Sequence, residues 1–227
     1  MKLKNYVLVA TLLASMNVFA QALPELTTDK QKASYALGLQ VAQNLIRQGL
    51  DVDGAAFALA VRDALTGDPM RLDVETMRSA VAAYREQKVT ENAAKLQANR
   101  ESGDEFRAEH RKQKGVTATA SGLQYKVLKA GSGRQPKATD AVLVHYSGTL
   151  IDGIEFDSSV RRGKPAELKL DSVIKGWQEA VPLMKEGGKW QLVIPPELAY
   201  GERGTPGSIG PGATLVFEIE LIAVPQK

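Results

Sequence analysis

The chain of 227 residues contains no cysteine and only two histidines. Beyond its first 22 residues no apolar run is long enough to cross a bilayer. Without cysteine there is no disulfide, and the fold must be held by its core alone. The cysteine that a bacterial lipoprotein needs beside its leader's cleavage site is missing as well, which excludes a lipid anchor. His110 and His145 have no second histidine or cysteine near enough to share a metal, so neither a metal nor any other cofactor is expected. A basic run is also lacking. The net charge of +3 includes Lys2 and Lys4 and falls to 3 − 2 = +1 once a leader is removed. The remaining charge is mixed in sign along the chain, so nucleic acid is not an expected partner.

What is there begins with a leader. Lys2 and Lys4 form a positive start, residues 6–14 are apolar except for Thr11, and Ala20-Gln21-Ala22 offers small residues for cleavage. Residues 1–22 therefore read as a secretory signal peptide, cut after Ala22 or after Ala20. An exported chain without cysteine points to the periplasm of a Gram-negative bacterium, with no membrane span in the mature protein.

Composition then breaks near Gly115. Of 20 glycines and 10 prolines, 15 and eight lie from Gly115 onward, together with both tryptophans. Upstream the chain is rich in Ala, Gln, Glu, Lys and Leu, which favour helix. Downstream, short apolar segments alternate with glycine and proline turns. The expected fold class is α+β: a helical domain over residues 23–114 ending in a long connecting helix, then a mainly antiparallel β domain over residues 115–227. Three helices are predicted. The first follows Thr27-Thr28-Asp29 and stops at Gly49. The second spans residues 53–65, and the third runs from about residue 73 to about 114. Val74, Met77, Val81 and Tyr84 make an apolar stripe on the third helix, which fades into the polar run NRESGDEFRAEHRKQKG. That run predicts a solvent-exposed arm over residues 99–114, with a hinge near Gly103. Three helices in about 65 residues leave a thin core. Helices from two chains would complete it, and a monomeric helical domain is the alternative.

In the β domain, Val142, Val144 and Tyr146 share one strand face. Asp152-Gly153 signals a hairpin. Trp177, Val181 and Met184 fall on one side of a short helix over residues 176–184. Strands are also predicted at residues 123–128, 189–194 and 214–222. Strands curled around one short helix would leave an apolar concavity between sheet and helix.

The blocks VHYSGTL-x-DG-x-x-FDSS, VIKGW and LAYGERG-x-PG followed by ATLVFEIEL resemble, in order and spacing, the signature of the FK506-binding class (FKBP) of peptidyl-prolyl cis-trans isomerases. The helical half, with SYALGLQVAQNL, resembles the dimeric exported members of that family, the macrophage infectivity potentiator group and its periplasmic relatives. The resemblance implies a pocket lined by Tyr146, Phe156, Trp177 and Phe217, with Trp177 as its floor. It implies Val173 and Ile174 as one wall, the Ile174 backbone N–H and the Tyr200 hydroxyl as donors to substrate carbonyls, and Ile209 as the far side. Asp157 is expected to accept a hydrogen bond from Tyr146, with Arg162 near it. Without the resemblance, Tyr146, Trp177 and Phe217 read equally well as core, Asp157 as a turn cap and Tyr200 as a packed turn residue. Ala166, Thr205 and Ser208 stand where the family often has phenylalanine, histidine and isoleucine, which opens or polarises the pocket rim.

Such a cage suits amide rotation. The barrier of ~18–20 kcal/mol comes from resonance, and X-Pro bonds exchange over tens to hundreds of seconds. The twisted amide is less charge-separated than the planar one, so transfer from water to an apolar pocket favours it without any proton transfer or covalent step. The expected partners are X-Pro peptides, unfolded or partly folded proteins, a second copy of the chain, and inhibitors of the FK506 or rapamycin type. The rival reading is a holdase chaperone, or a peptide clamp with little isomerase activity.

Overall fold

The computed structural model describes residues 25–225; the leader expected over residues 1–22 lies outside them. The helices begin where local hydrogen bonding can start them. Helix α1 (Asp29–Arg47) is opened by a reciprocal cap in which Gln31 N donates to Thr28 Oγ1 at 3.2 Å and Thr28 N donates to Gln31 Oε1 at 2.9 Å. Helix α2 (Gly54–Thr66) is capped by Asp53, whose side chain accepts from Ala56 N, and it ends at Gly67 with φ 75°. Helix α3 (Val74–Arg111) is capped by Asp73 through Thr76 N. Asp63, nearly buried on α2, is held by Arg71 Nε at 2.6 Å, tying the α2–α3 connection down. Arg71's hydrogen bond is the main reason the Asp63 carboxyl lies below its usual range.

The β domain has seven strands: β1 (Val116–Ala118), β2 (Gln124–Lys129), β3 (Ala141–Leu150), β4 (Glu155–Ser158), β5 (Ala166–Lys169), β6 (Lys189–Ile194) and β7 (Leu215–Ala223). They form one antiparallel sheet in the order β1-β2-β6-β7-β3-β4, with β5 paired to β3. Helix α4 (Lys175–Ala180) and a 3-10 turn at Val181–Leu183 cover one face. Along β3 the side chains alternate as a half-buried strand requires, with Val142, Val144, Tyr146 and Gly148 inward. Leu123, Leu170, Val181, Met184, Leu192, Ile194, Ile219 and Leu221 complete a core closed to solvent.

The polar end of α3 differs from its sequence reading. It is neither a free arm nor hinged: α3 is continuous through Gly103, and Gly103 and His110 are both buried. From residue 43 onward the described chain forms one compact unit, in which the last turns of α3 lie against the sheet. His110 Nδ1 sits 2.8 Å from Gln124 Oε1 and Nε2 sits 3.2 Å from Gln191 Oε1. Gln124 Nε2 donates to the Arg107 carbonyl at 2.9 Å, so the Gln124 oxygen is left to accept from His110. Phe106 stacks on the His110 ring. The stripe looks solvated in sequence because its contacts are polar.

Gly103 shows how close the approach is. A Cβ there would lie 2.5 Å from Thr214 Oγ1 and 3.3 Å from Thr214 Cβ. Thr214 is buried and accepts from Arg107 Nη1, and rotating its hydroxyl away leaves its Cβ in place. In an exposed helix Gly→Ala adds about 0.8–1 kcal/mol of stability. Here Gly103→Ala is expected to reverse that sign and lower stability by about 1–3 kcal/mol, as overpacked sites do. Urea denaturation of the full chain checks it, and a stabilised variant would mean that α3 does not sit this close to Thr214.

Candidate functional site

The pocket is built from the ends of several elements. β3 supplies Tyr146, β4 supplies Phe156 and Asp157, β5 supplies Leu168, and β7 supplies Phe217. The turn before α4 brings Ser172, Val173 and Ile174, α4 brings Trp177, and the connection from the 3-10 turn Pro196–Leu198 to β7 brings Tyr200. Together they enclose about 430 Å³. Three ring pairs meet edge to face: Tyr146–Trp177 at 5.3 Å, Trp177–Phe217 at 5.3 Å and Phe156–Phe217 at 5.5 Å between centroids. Such pairs are worth about 0.5–1.5 kcal/mol each beyond the area they bury. Trp177 is 3% exposed, and its indole N–H makes no hydrogen bond among the described residues.

One glycine makes room for this cage. Gly148 pairs with Phe217 across β3 and β7. A Cβ at Gly148 would stand 2.6 Å from Phe217 Cε1 and 2.7 Å from Phe156 Cζ. The two phenyl rings occupy the space a side chain would fill.

The polar edge is a closed triad. Tyr146 Oη donates to Asp157 Oδ2 at 2.5 Å, Arg162 Nη1 donates to Asp157 Oδ1, and Arg162 Nη2 donates to Tyr146 Oη at 2.9 Å. The guanidinium also lies over the Tyr146 ring, 5.5 Å from its centroid. Burial pushes the Asp157 carboxyl up, but the hydrogen bonds from Tyr146 and Arg162 together outweigh it and leave it below its usual range. Burial first, and Asp157 second, raise both Tyr146 and Tyr200. Arg162 is raised by its bonds to Tyr146 and Asp157. The one carboxylate on the pocket is thus neutralised by its own arginine, and the cavity stays apolar in character.

Eight of the ten residues expected from the sequence line this cavity. Arg162 stands behind Asp157 rather than on the wall. Ile209 is buried and pairs with Thr205 inside the connection to β7, so it does not face the cavity. Sequence reasoning missed Leu168, Ser172 and Gly148. The alternation of Ala166 and Leu168 was the available signal for β5, and Gly148 inside an apolar strand was the signal for a close approach.

Ionisation sets a pH prediction. A lowered Asp157 keeps its contribution above the usual carboxylate value of about 3.9 and loses it as pH falls through the still lower folded value. Raised tyrosines keep theirs below about pH 10 and lose it above. No pocket group changes charge between, so kcat/KM for an X-Pro peptide should stay flat from about pH 5 to 9. Exchange rates read by NMR would check this, and a bell-shaped profile centred near neutrality would mean that a titrating group takes part in the step.

The site is thus an apolar cage of aromatic rings with one polar edge at Tyr146, Asp157 and Arg162, a shape suited to enclosing an apolar group. Residues 132–222 match the family model described as FKBP-type peptidyl-prolyl cis-trans isomerase, and residues 30–127 match the model for the domain amino terminal to it. The FKBP-type 22 kDa peptidyl-prolyl cis-trans isomerase of Escherichia coli is 45% identical over 202 residues, covering 88% of this chain and 98% of that protein. The outer membrane protein MIP of Legionella longbeachae is 39% identical over 203 residues, covering 88% and 87%. The crystal structure of FkpA from Escherichia coli superposes with a TM-score of 0.62 at 38% identity, covering 88% of this chain and 98% of that one. The chain belongs to the FKBP-type peptidyl-prolyl cis-trans isomerases.

Proposed function

We propose that this isomerase acts in the periplasm as a homodimer on unfolded or partly folded exported proteins, with a chaperone function carried by its helical half. The pocket carries the catalytic reading. Tyr146, Phe156, Trp177 and Phe217 form an apolar enclosure for the proline ring, with Trp177 beneath it. Val173 and Ile174 wall one side, the Ile174 N–H and the Tyr200 hydroxyl donate to substrate carbonyls, and Ile209 backs the loop that carries Tyr200. Among the described residues neither the Ile174 N–H nor the Tyr200 hydroxyl donates a hydrogen bond within the chain. Asp157 and Arg162 hold Tyr146 in place. The planar amide loses water on entry, the twisted one loses less, and the difference lowers the barrier by ground-state and transition-state discrimination.

The dimer rests on α1. No residue of α1 is buried within the single chain, although Tyr35, Leu37, Leu39, Val41 and Ile46 lie on it with roughly half or more of each side chain exposed. Tyr35, Leu39 and Ile46 share one side of the helix and Leu37 and Val41 the other, and exposed apolar surface of that extent is what a second copy would cover. The functional division follows as residues 1–22 leader, 23–114 dimerisation and connecting helix, and 115–227 isomerase. Export and the periplasm are supported by the leader-like start and the lack of cysteine.

The test is one preparation in three assays. The full chain should accelerate cis-to-trans exchange of a Leu-Pro peptide, be slowed by an inhibitor of the FK506 type, and sediment as a dimer that suppresses aggregation of an unfolded client. A dimer that suppresses aggregation with no acceleration would make it a holdase clamp. A monomer would remove the dimer reading.

A further inference from the structure

Tyr200 reaches the pocket from a long connection, residues 199–214, that runs from the 3-10 turn Pro196–Leu198 to β7 and contains four glycines with positive φ. A segment so rich in glycine has many backbone states to lose, so something must hold it where Tyr200 faces substrate. Part of the restraint is internal: Thr205 N donates to Ile209 O at 2.8 Å, and Gly212 N donates to Gly201 O at 3.0 Å. The rest comes from helix α3. Asn99 Nδ2 donates to the Pro211 carbonyl at 2.8 Å, and Arg100 Nη2 pairs with Glu202 Oε1 at 2.5 Å. Leu96 closes on Gly212 so tightly that a Cβ there would lie 2.6 Å from Leu96 Cδ1, and a Cβ on Gly210 would lie 2.9 Å from Asn99 Nδ2.

The placement of these contacts is specific. Glu202 follows Tyr200 by two residues and Pro211 follows Ile209 by two. One turn of α3 therefore grips both arms of the loop, just beyond Tyr200, which faces the cavity, and just beyond Ile209, which is buried behind it. We infer that Leu96, Asn99 and Arg100 of the connecting helix are positioning residues for isomerisation, and that they act by keeping the loop of Tyr200 and Ile209 ordered. The inference rests on the pocket being the isomerase site and adds that its geometry depends on the helix leading in from the dimerisation half. An exposed ion pair such as Arg100–Glu202 is weak alone. Its effect comes from acting with the Asn99 bond and the glycine contacts on one loop.

The expected signature is a split between binding and turnover. A released loop must be re-ordered by each substrate, and the entropy of fixing even one residue is in the range of a tenfold change. In the full-length chain, Asn99→Ala with Arg100→Ala should raise KM for a Leu-Pro peptide about tenfold while kcat changes less than about twofold. Amide hydrogen exchange over residues 200–212 should accelerate. Arg100→Glu and Glu202→Arg should each weaken binding, and the two together should restore it. In a Tyr200→Phe background the Asn99→Ala effect should shrink, because residues acting through one side chain are not additive. Glu101→Ala, on the same helix but away from the loop, serves as the control. Unchanged KM and unchanged loop exchange in the double variant would overturn the inference, as would full additivity with Tyr200→Phe. Wild-type protein that fails to accelerate exchange would instead sink the pocket assignment, and the hydrogen-exchange arm would still read whether α3 orders the loop.

Discussion

Trp177→Ala is expected to lower kcat/KM for an X-Pro peptide by at least about a hundredfold while leaving a folded, weakened protein. The indole lines the cavity and meets two of the other three rings edge to face, at 5.3 Å from both Tyr146 and Phe217. Removing it replaces an apolar wall by space that water can enter beside the polar triad, which cancels the environment that favours the twisted amide. A hundredfold corresponds to about 2.7 kcal/mol of barrier, well inside what an apolar enclosure can supply. The same change should cost about 3–5 kcal/mol of stability, the usual range for a buried Trp→Ala, out of a total of about 5–15. Leu170, Val181, Met184, Leu192, Ile194, Ile219 and Leu221 belong to the same core and remain in place to hold the sheet together. Trp177→Phe separates the two effects. It keeps an apolar floor, so it should retain most of the stability and lose about tenfold in activity. Denaturant unfolding and NMR exchange on the same samples decide it. A folded Trp177→Ala protein with near wild-type kcat/KM would place the chemistry elsewhere.

Much of this was legible in the sequence, for reasons that differ by element. Helix starts were readable because their caps are local: Asp53, Asp73 and the Thr28–Gln31 pair bond within three or four residues of themselves. Strands β3 and β7 were readable because one face is buried and the side chains alternate, and β6 because it ends in the apolar run Leu192-Val193-Ile194. β1 and β5 escaped because three or four residues carry no period, and only their partners β2 and β3 make them strands. The end of α3 was misread for a different reason. Asn99, Arg107 and His110 look solvated in sequence, and their partners Pro211, Thr214 and Gln124 lie 112, 107 and 14 residues away. Polar docking has no periodic signature. The residues that hinted at it were Gly103, a poor helix former amid good ones, and the Phe106–His110 pair one turn apart. The pocket was legible through motif order rather than pattern, which explains why Leu168 and Ser172, on segments with no distinctive motif, were not foreseen.

Gly148→Ala should have the second-largest effect on catalysis although it adds a single methyl group and touches no substrate. Gly148 has no positive φ, so alanine fits the backbone and the consequence is steric alone. The methyl would meet Phe217 Cε1 at 2.6 Å and Phe156 at 2.7 and 2.8 Å. Both neighbours are rigid rings, not flexible chain ends. Phe217 is 4% exposed and packed against Trp177 and Tyr146, which line the same cavity, so any shift of its ring changes the shape of the cage. Phe156, less buried, swings outward and opens the side of the cage. Either response spoils the enclosure that the proline ring needs. Overpacking of this kind costs about 1–3 kcal/mol, offset by roughly 0.5–1 kcal/mol from replacing glycine inside a strand. The net loss of stability should therefore be small, on the order of 1–2 kcal/mol. Activity should fall much further, by about ten- to a hundredfold, because the cost lands on the geometry of the rings. Gly153→Ala makes the useful contrast. Its φ of 87° strains an alanine, yet a Cβ there meets nothing within 4 Å, so stability should drop while kcat/KM holds. Crossed results, with Gly153→Ala impairing catalysis and Gly148→Ala sparing it, would mean that the packing of Phe156 and Phe217 does not set the shape of the site.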